Sequence, residues 1–103
     1  MNEQLWIGLA NVVPHQNTEY DFDGAFVTVL CLAKNNEEFV SVVNSSFEEL
    51  EMEIIEISDV EKYLDRKKRV ILDDDITELA NEVELSRRVC FGTFHAYDAA
   101  NEN

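Results

Sequence analysis

The sequence predicts an α+β domain: a two-layer sandwich in which a mixed or antiparallel sheet of four to five strands carries two helices on one face. Three features carry that expectation. Four short runs of apolar, β-branched residues are set apart by turn formers, as strands are. Two other segments repeat apolar residues at helical spacing behind a capping residue. Apolar residues make up 46% of the 103, the content of a globular chain rather than a disordered one. A chain of this length is expected to hold one domain, residues 1–103, since a second core would have too few residues to bury.

Residues 5–13 form an uncharged run ended by Pro14 and read as the first strand. Residues 14–24 are polar, with turn formers at both ends, and read as a long loop. Residues 25–33 are apolar at odd and even positions alike. Such a strand has both faces covered, by its own chain or by a second copy, and this one is the candidate central strand. Asn35 then caps a helix, with Glu38 three residues on. Phe39, Val40, Val43, Phe47 and Leu50 follow as its core stripe.

Residues 52–58 form the next strand, and its apolar parity changes at Ile54-Ile55, the mark of a bulge or of two-sided burial. Residues 59–69 fit helix, strand and loop alike, whereas Val70-Ile71-Leu72 reads as a short strand. Asp73-Asp74-Asp75 caps a second helix carrying Ile76, Leu79, Ala80 and Val83 on one face. Arg87-Arg88 lie at its C-terminal end, where positive charge is favourable. Residues 89–97 are the last strand, and the small polar tail from Asp98 is expected to fray. With 70–72 as a strand, residues 25–97 follow the ferredoxin-like order β-α-β-β-α-β, with an extra N-terminal strand. That fold hosts many functions and selects none.

Charge says more about partners. Twenty-two acids against eight bases give a net charge of −14. A field of that sign repels nucleic acid and anionic membranes and favours a basic protein partner, although it also serves solubility. The bases are clustered. None lies in residues 1–33, five of the eight lie between Lys62 and Arg69, and two more are Arg87-Arg88. The basic run reads as a solvated segment or as a partner for neighbouring acids. No apolar run reaches the ~18 residues that span a bilayer, and Met1-Asn2-Glu3 lacks the basic start of a signal peptide, so a cytoplasmic location is expected.

Chemical motifs are sparse. Cys31 and Cys90 sit in apolar runs and read as buried free thiols, with no C-x-x-C spacing. Neither a metal nor a cofactor is expected, because His15 and His95 belong to no dense ligand motif. Asp73-Asp74-Asp75 lacks the alternation of a calcium loop and reads as a helix cap. Cys90 and His95 are five apart, so without a bulge they occupy opposite faces of a strand and form no dyad. Thr93, His95 and Tyr97 share a face, which is either a ligand cleft or the wet side of the sheet.

Trp6-Ile7-Gly8-Leu9-Ala10-Asn11-Val12-Val13-Pro14, Gly24-Ala25-Phe26-Val27 and Phe91-Gly92-Thr93-Phe94-His95-Ala96-Tyr97 resemble the shared pieces of a group of small acidic bacterial proteins with no assigned activity. That resemblance implies no catalytic residues. In size, acidity and expected location the chain is also similar, as a class, to bacterial toxin-immunity proteins, which mask cationic toxin nucleases.

Acidity without catalytic motifs points to a non-catalytic interaction module that binds a basic protein partner. The expected contacts are the exposed acids of the first helix and its exit, Glu37, Glu38, Glu48, Glu49 and Glu51, for which a solvated helix face is the plain alternative. A homodimer with a small-ligand cleft at Thr93, His95 and Tyr97 is the alternative function, motivated by the two-faced apolarity of residues 25–33. An enzyme using His95 with Asp21 or Asp23 ranks third.

Overall fold

The computed structural model describes residues 3–16 and 19–98. In chain order the elements are β1 (Gln4–Pro14), β2 (Gly24–Ala33), α1 (Asn36–Glu49), β3 (Met52–Lys62), α2 (Tyr63–Arg69), α3 (Asp74–Ser86), β4 (Cys90–Phe91) and β5 (His95–Tyr97). The five strands make one antiparallel sheet in the order β3-β1-β2, with β4 and β5 both on the outer edge of β2. The class is α+β, as expected.

Alternation along β2 decides where everything else goes. Ala25, Val27, Val29, Cys31 and Ala33 point to one face, where they bury Phe39, Val43 and Phe47 of α1. Phe47 lies against Phe91 and Phe94, with ring centroids 4.9 and 6.2 Å away. The helix starts as its sequence implies. The Asn35 side chain accepts from the Glu38 backbone N–H at 2.8 Å, and the Glu38 carboxylate accepts in return from the Lys34 N–H at 2.9 Å. Gly8 of β1 lets α1 close in: a Cβ there would stand 3.0 Å from the Phe39 ring.

Leu30 points the other way. With Ile7 it packs against Tyr63 of α2 and against Ala80 and Val83 of α3. The helices therefore do not share a face, contrary to expectation. α1 and the sheet form the two-layer part, while α2 and α3 cover part of the opposite side. The cause was visible in β2 itself: a strand apolar on both parities needs a cover on each face. Both covers come from the same chain.

The expected strand at Val70-Ile71-Leu72 does not form. β3 runs on to Lys62 and α2 takes up residues 63–69, so 70–72 is the link to α3. Leu72 still packs beneath the helices, while Ile71 is fully exposed. The order is therefore β-β-α-β-α-α-β-β, and the ferredoxin-like order is absent. Ile55 is an extra residue in β3, between the pairs Val12–Ile54 and Asn11–Glu56, so the parity change did mark a bulge. A second irregularity follows at Asp59, whose φ is 54°.

The last strand is broken in two. Phe91 pairs with Val29 and His95 with Phe26, so four steps on one side match three on β2. The interruption at Gly92–Phe94 absorbs the extra residue and reverses the parity beyond it. α3 begins at Asp73, which caps with its backbone only. Its carbonyl takes the Thr77 N–H at 3.1 Å, and its carboxylate makes no capping hydrogen bond. The expected side-chain cap is thus not made, and the acids there act only through the helix dipole.

Candidate functional site

The five acids expected to meet a partner fall into two groups at opposite ends of α1. Glu37 and Glu38 are in the first turn, where the dipole favours them, and Glu38 is engaged in the cap. Glu48, Glu49 and Glu51 lie at the other end, roughly 15 Å away at 1.5 Å per residue. No base stands in the last turn of α1.

The loop after β1 docks on this second end. The His15 N–H donates to the Glu51 carbonyl at 2.9 Å, and the Tyr20 hydroxyl donates to the Leu50 carbonyl at 2.9 Å. The first extends the β1/β3 ladder past the Pro14–Met52 pair, and the second satisfies the carbonyl of the helix's C-terminal cap. His15 Nε2 also lies 4.0 Å from a Glu48 carboxylate oxygen. The neighbours of Tyr20, Glu19 and Asp21, are exposed. Glu48, Glu49 and Glu51 thus stand at the negative end of a helix dipole, and an acidic loop is tied to that end through Tyr20.

Thr93, His95 and Tyr97 do not form one row. Thr93 lies in the strand break and borders a shallow depression with Asp75, Glu78 and Glu82. His95 and Tyr97 share the face opposite α1, next to Phe26. Tyr97 lies across Gly24, where any Cβ would collide with its ring, and its hydroxyl donates to the Asn11 side-chain oxygen at 2.7 Å. It seals this part of the sheet. The bulge puts Cys90 and His95 on the same face after all. Their partners on β2, Leu30 and Phe26, are four residues apart, roughly 13 Å, so no dyad forms.

Burial, reinforced by Glu38 and Glu3, pushes the Cys31 thiol up to about 12. The Cys90 thiol is also raised, by burial and then Glu82, with a hydrogen bond involving Ser86 working against the shift. Neither thiol is a poised nucleophile. Among the described residues no group of His, Cys, Asp and Glu is placed to hold a metal ion. No described helix is long and apolar enough to cross a membrane.

The basic run divides. Arg66 and Arg69 turn to β3 and both pair with Glu61, the second at 2.8 Å, while Arg66 also donates to the Asp59 carbonyl at 2.6 Å. Lys62, Lys67 and Lys68 instead line a cleft of about 650 Å³ between α2 and α3. Sequence reasoning missed this cleft because residues 59–69 fitted every element type. The signal was the spacing of Tyr63 to Lys67 and Leu64 to Lys68, two i, i+4 pairs on one helix face.

No family model, curated protein or solved structure matches the chain.

Proposed function

We propose that this protein is a non-catalytic interaction module that binds a basic protein partner at the C-terminal end of α1. The observation that carries the reading is the placing of Glu48, Glu49 and Glu51 at the C-terminal end of α1, with no base in the last turn and the acidic loop of Glu19 and Asp21 tied there through Tyr20. Acids placed there repel the dipole and one another, which costs each exposed site about 0.3–1 kcal/mol. A cationic surface docked on them relieves both repulsions. The net charge of −14 adds long-range steering toward such a partner. A cationic toxin is one partner of this chemistry. Glu37 and Glu38, at the helix start, stabilise the chain's own fold and contribute to the field.

A ten-residue oligolysine peptide serves as the probe, with association rates measured at low and moderate salt. The reversal Glu49→Lys should slow association about threefold and flatten its salt dependence, whereas Glu37→Lys, the same change in net charge, should change it far less. Equal losses from both variants would reduce the reading to net charge alone and sink it. Lysate capture with the same variants, alongside light scattering, then identifies the partner. A dimeric mass with no salt-released protein would favour the homodimeric alternative.

A further inference from the structure

The α2/α3 cleft has a character opposite to the rest of the molecule. Four of the eight bases in the chain, Lys62, Lys67, Lys68 and Arg87, line it. Three acids, Glu3, Asp65 and Glu84, line it too, and Glu3 holds Arg87 at 3.2 Å. The cleft is therefore mildly positive within a chain of net charge −14. Its floor is apolar, made by Leu5 and Leu32 from the strand ends and Ala80 from α3. Its volume is that of a small-molecule site.

The local geometry explains how floor and rim combine. Tyr63 and Lys67 stack one turn apart on α2, as do Leu64 and Lys68, so each ammonium stands beside an apolar body. Leu64 remains 64% exposed at the mouth, a large apolar side chain with little to cover it. Tyr63 is only 6% exposed, its ring packed among Ile7, Leu30, Ala80 and Val83. Its hydroxyl bonds to no other described residue and is not a fully buried polar atom, so it stays open to solvent beside the cleft that Tyr63 lines. Asn81 adds an exposed amide on the α3 wall.

The geometry points to a binding site for a small amphipathic organic anion. Its acid group sits among Lys62, Lys67 and Lys68, it accepts from the Tyr63 hydroxyl, and its hydrocarbon body covers Leu5, Leu32 and Leu64. Charge complementarity sets the sign of the headgroup, and the apolar floor requires the tail. The site lies across the sheet from α1, so it stands or falls independently of the acidic helix end.

Decanoate is the probe, with decyltrimethylammonium and inorganic phosphate as comparators. Titrations follow backbone amide resonances of the whole chain. The field of an acidic protein favours the cationic amphiphile everywhere else, so preference for the anion is diagnostic. Decanoate should saturate at one site, shifting Leu5, Leu32 and the residues of α2 and α3. Lys67→Glu/Lys68→Glu, both exposed positions, should weaken it about tenfold, and Tyr63→Phe about threefold. Glu48→Lys should leave it unchanged. Failure to saturate, equal binding of decyltrimethylammonium at the same residues, or indifference to the Lys67/Lys68 reversal would overturn the site. Phosphate binding as tightly as decanoate would overturn the amphipathic class of ligand.

Discussion

The two faces of the sheet are built to different standards. On the α1 face eleven buried residues form one cluster, reinforced by Trp6, Phe91 and Phe94. On the other face five buried residues hold α2 and α3, a cleft separates those helices, and Tyr97 with Phe26 covers the region beyond. Continuous aromatic packing makes the first face the support of the fold. The second is a shallow core with room left in it, and room beside cations is what a ligand needs. Dense packing and open space are divided between the two sides of one sheet.

The contrast breaks most readily at Phe47. Phe47→Ala should cost about 3–5 kcal/mol, because Phe91 and Phe94 lose their shared neighbour. Urea midpoints measure it, and a loss below ~1 kcal/mol would mean that the α1 face is not the main support. Next comes an alkaline loss tied to the same cluster. Folded Cys31 keeps its proton up to about 12, whereas the unfolded thiol releases it near 9.0. The native state then binds more protons than the unfolded one, so stability is complete below 9.0 and falls as pH rises toward 12. Comparing urea midpoints at about pH 8 and about pH 10.5 should show a smaller decline in Cys31→Ala than in the parent. Parallel declines would assign the loss to other groups.

Gly24→Ala sharpens the comparison on the open face. The new methyl displaces the Tyr97 ring and breaks its bond to Asn11, a cost of about 1–3 kcal/mol. Amide exchange at Asp23, whose N–H donates to the Tyr97 carbonyl at 3.1 Å, should accelerate, while Val29 and Cys31 stay protected. Asn35→Ala removes the α1 cap and should cost about 1 kcal/mol in thermal or urea unfolding. The smallest effects belong to Ile71→Ser and Leu85→Ser, at 101% and 84% exposure, which should stay within about 0.5 kcal/mol. A larger loss in either would reveal packing on the α2/α3 side that the exposed surface conceals.

Elements with strong periodicity were legible in the sequence. Residues 25–33 announced a two-faced strand, Asn35 with Glu38 announced a helix start, and Ile54-Ile55 announced a bulge. Short and charged segments were not. Residues 63–69 make a helix too brief for its apolar face to show, and its stability comes from Tyr63 anchoring it to Ile7 and Leu30. The break at Gly92–Phe94 was hidden because an extra residue in a strand leaves no mark on composition, only on register. The same error joined Thr93 to His95 and Tyr97. The acidic end of α1 was partly legible, since Glu48, Glu49 and Glu51 are adjacent in sequence. The docking of the loop depends on Tyr20 reaching a carbonyl 30 residues away.

β3 ends the sheet on one side, with eleven residues and no further strand beyond it among those described. Open edges of that length nucleate fibrils, because their free peptide groups accept an incoming chain. Here the kinks at Ile55 and Asp59 spoil the straight template, and Glu53, Glu56 and Asp59 make approaching copies repel. Only the first defence is independent of solution conditions. The second fades as the medium is acidified toward the isoelectric point near 4.2, so shelf life and colloidal behaviour become a matter of buffer. The same acidity that sets the sign of the molecule's field thus also guards its open edge.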